Sequence, residues 1–144
     1  MKKLIVGLVL ALSLVGAAVA APNKLVVVNS DSLQWKPANG LPGAEVAVIS
    51  GDPTKKEPFI ARIKLPANFT IPAHTHAINE YDTVISGVLN VGVGKTVDMN
   101  HGDAISAGSF IMIPAKLSHY AWTKEETILQ INGVGPWGMI YKHN

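Results

Sequence analysis

Residues 72–80, which read PAHTHAINE, carry the pattern around which the rest of the chain is organised. Side chains at positions i and i+2 of a strand point to the same face, so His74 and His76 present two imidazoles to one point in space. Glu80 has the same parity and reaches that point if the strand continues or turns gently. Imidazoles with a carboxylate suit Zn, Cu, Fe, Ni or Mn better than Ca or Mg. The segment therefore predicts half of a site for one divalent transition metal.

A second informative stretch, GSFIMIPAKLSH at residues 108–119, predicts a strand that ends in a proline turn. His119 follows that turn and is a fourth candidate ligand. A tetrahedral zinc that takes all four side chains would be a closed, structural site, whereas an octahedral metal keeps positions open for water, oxygen or substrate. The geometry of the site therefore decides between a structural and a chemical role for the metal.

Short runs rich in Val, Ile and Phe recur along the chain with turn residues between them. This spacing predicts an all-β sandwich or barrel with little helix, apart from a possible turn near residues 30–35. The predicted strands are Leu25–Val28, Ala44–Ile49, Phe59–Leu65, Tyr81–Ile85, Val88–Val93, Phe110–Ile113, Thr127–Ile131 and Met139–Tyr141.

Both stretches resemble the two sequence motifs of the cupin superfamily. The first motif has the form H-x-H, three or four residues, E, six residues, G, and the second has the form G, five residues, P-x-G, two residues, H, three residues, N. The matching residues are His74, His76, Glu80 and Gly87 for the first motif and Gly108, Pro114 and His119 for the second. The resemblance implies a double-stranded β-helix (jelly-roll) barrel that forms homodimers and holds one divalent metal. The implied ligands are His74, His76, Glu80 and His119.

Three positions depart from the cupin pattern. Asn68 stands where a glycine usually precedes the first histidine, and asparagine tolerates a left-handed backbone nearly as well as glycine. Lys116 replaces the glycine after the proline, so it either forces a different turn or places a cation beside the pocket mouth. Thr123 replaces the final asparagine and keeps a hydroxyl group.

Residues 1–20 have the basic start, apolar middle and Ala-Val-Ala end of a secretory signal peptide, although an uncleaved anchor or a buried helix would show a similar run. We expect a periplasmic or secreted protein whose residues 21–144 form a single domain. Loss of Lys2 and Lys3 leaves ten basic and ten acidic residues, so we expect no nucleic-acid partner and no membrane contact after cleavage. The absence of cysteine excludes disulfides and thiolate ligands.

Further residues are candidates for the pocket around the metal. Arg62 is the only arginine after residue 20 and could clamp a substrate carboxylate, or it could be an outward strand charge. Asp82 shares the parity of Glu80 and is a candidate general base, with an outward position as the alternative. Phe110 and Trp122 could form walls of a substrate pocket or could belong to the core. His101 and His143 match neither motif and are left out of the site.

The favoured hypothesis is an exported, metal-dependent enzyme acting on a small molecule, of the oxygenase or isomerase type, in which Glu80 and Asp82 are the catalytic carboxylates. The alternative is a metal-bearing module that binds a sugar acid or a similar ligand without turnover. A third hypothesis makes the metal purely structural. Neither the substrate nor the metal follows from the sequence, because this fold hosts many functions.

Overall fold

The computed structural model describes residues 24–141. The predicted signal peptide and His143 lie outside the described residues. Ten strands follow a single 3₁₀ turn at Ser30–Ser32, and no helix in the described part of the chain is long and apolar enough to cross a membrane. The strands are β1 (Lys36–Pro37), β2 (Glu45–Ser50), β3 (Pro58–Leu65), β4 (Thr70–His74), β5 (Glu80–Ser86), β6 (Val88–Val93), β7 (Asp103–Ser106), β8 (Phe110–Ile113), β9 (His119–Thr123) and β10 (Thr127–Val134).

The strands form two antiparallel sheets. One sheet has six strands in the order β1-β2-β3-β10-β5-β8, and the other has four in the order β4-β9-β6-β7. The apolar core contains side chains from both sheets, for example Ile63 and Leu129 from the first and Leu89 and Ala121 from the second. The prediction of an all-β fold is therefore confirmed.

The alternation of side chains in β3 and β5 explains which residues point inward. In β3, Phe59, Ala61, Ile63 and Leu65 are buried while the residues between them are at least partly exposed. In β5, the buried positions are Glu80, Asp82 and Val84. A strand exposes side chains to its two faces in turn, so two acidic residues of β5 share the inner face with the apolar core.

Two of the predicted strands are wrong. Residues 25–28 are exposed and form no strand, because no neighbouring strand pairs with them among the described residues. Residues 139–141 contribute only an isolated bridge between Ile140 and Thr75. Conversely, the strand pattern did not predict β9, because all five of its residues are buried and the alternation is hidden. The rings of Tyr120 and Trp122 occupy the space that a Cβ would need at Gly92 and Gly102.

The structure accommodates all three departures from the cupin pattern. Asn68 and Lys116 have φ values of 57° and 67°, the left-handed conformation that glycine adopts most easily. Lys116 therefore preserves the turn of the usual glycine, and it does not line the cavity described below. Thr123 donates a hydrogen bond to the Pro66 carbonyl over 2.7 Å and accepts one from the Phe69 amide over 3.2 Å.

Candidate metal centre and its cavity

Three histidines from neighbouring strands meet at one end of the fold. His74 ends β4 and is directly opposite His119, the first residue of β9. His76 follows β4 two residues later. One ring nitrogen from each histidine lies within 4.8 Å of the other two, and all three residues are buried. The predicted convergence of His74, His76 and His119 is confirmed.

Backbone carbonyls fix the orientation of all three rings. The Nδ1 atoms of His74, His76 and His119 donate hydrogen bonds to the carbonyls of residues 72, 138 and 117, over 2.8, 2.8 and 3.0 Å. A carbonyl oxygen only accepts, so Nδ1 carries the proton and Nε2 of each neutral ring keeps its lone pair. This carbonyl support is the arrangement that orients histidine ligands in metal sites.

Glu80 places a carboxylate beside the histidine cluster, in contact with His76. Its Oε2 atom lies 3.2 Å from His76 Nε2, which itself lies 3.0 Å from His74 Nε2. Its Oε1 atom accepts a hydrogen bond from the Trp137 indole. These donor atoms bring electron pairs together in a buried space, an arrangement that is repulsive unless a cation lies among them. The donor set therefore fits a divalent transition metal.

The pKa values of the cluster favour the protonation states that a metal requires in its histidine ligands. Burial lowers the pKa of His74 to about 4, with smaller contributions from the nearby His119 and His76. Burial also lowers the pKa of His76 and of His119. Burial raises the pKa of Glu80 to about 6, although the Trp137 hydrogen bond opposes the shift. Neutral histidines are ready to bind a metal without first losing a proton.

Asp82 lies on the same face of β5 as Glu80, about 7 Å further along the strand. It is 3% exposed, and its Oδ1 atom has no hydrogen-bond partner among the described residues. Burial, with the charge of Glu80 as a second cause, raises the pKa of the Asp82 carboxyl. A buried polar atom without a partner is uncommon in folded proteins and calls for an explanation. Of the two positions that the sequence left open for Asp82, the structure shows the inward one.

A cavity of about 510 Å³ connects these residues. Its wall contains the three histidines, Glu80 and Asp82, and is otherwise mainly apolar. Among the described residues, no lysine or arginine lines it. The apolar wall residues include Leu41, Val46, Ile63, Ile71, Leu89, Val91, Ile113, Leu129 and Ile131. Small-molecule sites are commonly concave, apolar spaces with a few polar groups, and this cavity has that composition.

The segment after β10 forms part of the wall. The Trp137 indole donates a hydrogen bond to Glu80, and its ring lies tilted against Phe59 at a centroid separation of 5.8 Å. Its backbone amide donates to the Pro53 carbonyl over 2.7 Å. Met139 and Tyr141 also line the cavity. The sequence patterns did not predict a role for Trp137 in the site. Its position directly after the GVGP stretch was the available signal, but the contact with Glu80 spans 57 residues and depends on the fold.

Three predicted substrate-binding residues do not line this cavity, and the expectation is corrected. Arg62 has the outward parity of β3, and its Nε donates to Gln130 on the neighbouring strand over 3.3 Å. Phe110 is 62% exposed. Trp122 has the opposite parity to His119 and Ala121 and packs over Gly102. His101 is exposed and paired with Asp98, as its exclusion from the site implied.

One known protein family matches most of this chain. Residues 19–137 match the model of DUF4437, a domain of unknown function. The chain belongs to the DUF4437 family. No curated protein matches its sequence.

Solved structures place this DUF4437 domain in the cupin fold, which confirms the resemblance. The polyketide cyclase RemF from Streptomyces resistomycificus is similar with a TM-score of 0.70 and 12% identity, over 84% of this chain and 87% of that one. An RmlC-like cupin from Shewanella frigidimarina gives 0.61 and 15%, over 76% and 90%. KdgF from Halomonas gives 0.60 and 14%, over 78% and 96%. At these identities the likeness establishes the double-stranded β-helix of the DUF4437 domain and leaves its chemistry to the site.

Proposed function

We propose that this protein is a metal-dependent enzyme acting on a small molecule, with one divalent transition metal held by His74, His76, His119 and Glu80. The observation that carries the proposal is the convergence of histidine Nε2 atoms and a Glu80 oxygen at the wall of a large cavity. A site with a purely structural metal needs no such cavity. The open space beside the ligands favours chemistry.

The chain's own residues would share the work as follows. A bound divalent metal would act as a Lewis acid toward an oxygen atom of the substrate. The apolar wall would exclude water from the substrate. The Trp137 indole would hold the Glu80 carboxylate in place, as supporting hydrogen bonds do for metal ligands. Asp82, whose Oδ1 has no hydrogen-bond partner among residues 24–141, would move a proton to or from the substrate.

Between oxygenation and proton transfer, this arrangement favours proton transfer, which is the chemistry of an isomerase or a cyclase. An isomerase needs a carboxyl group within reach of the substrate, and Asp82 provides one. One structural neighbour, RemF, is named as a polyketide cyclase. Fold likeness alone does not assign a reaction, so the support comes from the carboxyl groups.

The alternative of a module that binds sugar acids has less support. Recognition of a carboxylate usually uses arginine or lysine, and Arg62 faces away from the cavity. A mainly apolar wall also matches a sugar poorly, because sugar hydroxyl groups would lose hydrogen bonds on entering it.

Metal analysis of protein purified without chelator tests the proposal. We expect one equivalent of a transition metal in the wild type, little in His119→Ala and an unchanged content in His101→Ala, which removes an exposed histidine. Equal metal content in His119→Ala and the wild type would refute the site. Oxygen consumption with candidate substrates then separates the oxygenase type from the isomerase type, which consumes none.

We also propose that the protein is exported and dimeric. The export proposal is supported by the signal-like residues 1–20, and N-terminal sequencing of the periplasmic or secreted form should begin near Ala21.

The dimer is supported by exposed apolar residues on the outer face of β5 and the edge strand β8, namely Tyr81, Ile85, Phe110 and Met112. Light scattering of the purified protein should give twice the monomer mass, and a monomeric mass would exclude a stable dimer.

A further inference from the structure

We infer that the cavity takes an uncharged, largely apolar molecule that carries a hydroxyl group, and that Asp82 accepts the hydrogen bond from that hydroxyl. This inference rests on the proposed function, because it concerns the substrate of the same site. It also specifies that site further, since it names the class of ligand and the residue that selects it.

Asp82 is a buried carboxyl group with an unmet hydrogen bond within residues 24–141. Its side chain is buried on the inner face of β5, and Oδ1 has no partner in the described part of the chain. An unsatisfied buried oxygen costs free energy, so it is expected where a ligand supplies the missing hydrogen bond. Asp82 also lines the cavity, so a ligand O–H group can bond to its carboxyl group.

The cavity wall near Asp82 is mainly aliphatic. The neighbours of Asp82 across the sheet are Ile131 on β10 and Ile111 on β8, and both pairs are in register. Of these two, Ile131 lines the cavity, together with Ile63, Leu89 and Leu129. An aliphatic wall binds an apolar ligand body well and a highly hydroxylated one poorly. The ligand therefore has few polar groups, one of them facing Asp82.

The charged groups of the cavity wall also bear on the ligand. The described cavity wall carries two carboxyl groups, Glu80 and Asp82, and no lysine or arginine. A ligand carboxylate placed beside Asp82 would lose its hydration in a space of low dielectric constant, with no cationic side chain on the described wall to pair with, which is unfavourable. A neutral hydroxyl group avoids this cost and still bonds to the Asp82 carboxyl.

The spacing between the two polar ends adds a dimension to the ligand. Asp82 lies about 7 Å along β5 from Glu80, two residues away on the same face. A substrate that reaches both the histidine cluster and Asp82 therefore has polar groups about 7 Å apart, roughly the length of one or two fused rings. The cavity volume of about 510 Å³ leaves room for a ligand of this length.

Three naphthalene probes of similar size test the inference: 2-naphthol, 2-methylnaphthalene and 2-naphthoate. Their affinities are measured at pH 7.5 by fluorescence titration of the metal-free protein, so that no metal competes for the hydroxyl. We expect 2-naphthol to bind about tenfold more tightly than 2-methylnaphthalene, because its hydroxyl bonds to the Asp82 carboxyl. We expect 2-naphthoate to bind more weakly than 2-naphthol, because its charge loses hydration without gaining a cationic partner on the described wall.

Variants of Asp82 identify the residue responsible. In Asp82→Leu, the preference for 2-naphthol over 2-methylnaphthalene should disappear while the binding of 2-methylnaphthalene persists. Asp82→Asn, of the same shape, keeps an acceptor oxygen and should retain part of the preference; it also covers the case in which the leucine variant does not fold. Asp103→Leu makes the same replacement at an exposed position of β7 and should keep the full preference.

The outcomes separate this inference from the proposed function. An equal preference for 2-naphthol in the wild type and Asp82→Leu, or tighter binding of 2-naphthoate than of 2-naphthol, would overturn the inference. Zinc titration of the same wild-type preparation reports on the metal site independently. Zinc binding without the Asp82-dependent preference rejects only the ligand class, whereas the preference without zinc binding rejects only the metal site.

Discussion

The described chain contains two histidine–carboxylate pairs that look alike in sequence and differ in everything else. His101 lies 2.7 Å from Asp98 in an exposed turn, and its side chain is 84% exposed. His76 lies 3.2 Å from Glu80, and its side chain is 4% exposed. The shorter contact belongs to the surface pair, so proximity does not identify the functional site.

The surroundings of each pair explain the contrast. Asp98 accepts hydrogen bonds from the Asn100 amide and from His101, and these lower its pKa. Glu80 is surrounded by a low-dielectric interior, and burial raises its pKa to about 6. Solvent satisfies and screens the surface pair, whereas the buried pair shares its space with two more histidines. The buried pair thus has a use for a cation and the exposed pair has none.

The largest effect on zinc affinity is expected from removing the histidine of the buried pair. In His76→Ala, zinc affinity should fall by more than the 10- to 100-fold that is typical when a residue supporting a ligand is lost, because a ligand itself is removed. In His101→Ala, zinc affinity should not change. Competition titration with a zinc chelator measures both, and a comparable loss in the two variants would break the distinction between the pairs.

Removal of the hydrogen bond that holds Glu80 should have a smaller effect. Trp137→Phe keeps an aromatic ring beside Phe59 and removes the donor to Glu80 Oε1. We expect zinc affinity to fall by about tenfold, with the fold unchanged by circular dichroism. Trp35→Phe replaces a tryptophan outside the cavity and serves as the control. Full affinity in Trp137→Phe would mean that Glu80 needs no support.

The response of metal-free protein to pH should separate Glu80 from the surface pair. The pKa of Glu80 rises from 4.5 to about 6 on folding, so its contribution to stability is complete below pH 4.5 and is lost as the pH rises through about 6. By this linkage, the wild type should lose about 2 kcal/mol of unfolding free energy relative to Glu80→Gln between pH 4.5 and pH 7. Urea titrations across this range measure the difference, and parallel curves for the two proteins would contradict it.

The smallest effect concerns Asp98. Its pKa is lowered, so its contribution to stability is present above its ordinary pKa of 3.8 and is lost as the pH falls below that value, the opposite direction to Glu80. In His101→Ala, the pKa of Asp98 should move only part of the way back, because the Asn100 amide is the larger cause. NMR titration of the carboxyl carbon measures this shift. Complete return to 3.8 would show that His101 alone causes it.

Much of the fold and of the metal cluster followed from local patterns. The shared parity of Glu80 and Asp82 is a property of the extended backbone of β5, whereas His76 and Glu80 meet across residues 75–79, which lie between β4 and β5. The structure buries His74, His76, Glu80 and Asp82. Asn68 and Lys116 adopt the turns that glycine would adopt, so the motif retained its geometry despite both replacements. These features depend on neighbouring residues, and neighbouring residues are visible in a sequence.

The substrate-binding predictions for Arg62, Phe110 and Trp122 depended on more than local pattern. Residue type alone made them candidates, but the face that each strand turns inward decides whether such a side chain meets the cavity. Arg62 lies one residue from the buried Ala61 and Ile63 and therefore points away from them. Phe110 belongs to an edge strand, where its face of the sheet is uncovered.

The sequence by itself determined the strand-rich architecture, the two-part histidine motif and the shared parity of both carboxylates, because periodicity and spacing act over a few residues. Only the tertiary structure decided that Trp137 supports Glu80 and that Asp82 Oδ1 has no partner among the described residues. Only the fold, likewise, gave the cavity a wall without lysine or arginine in the part described. These features depend on residues brought together from distant strands, and on which polar groups the packing leaves unpaired.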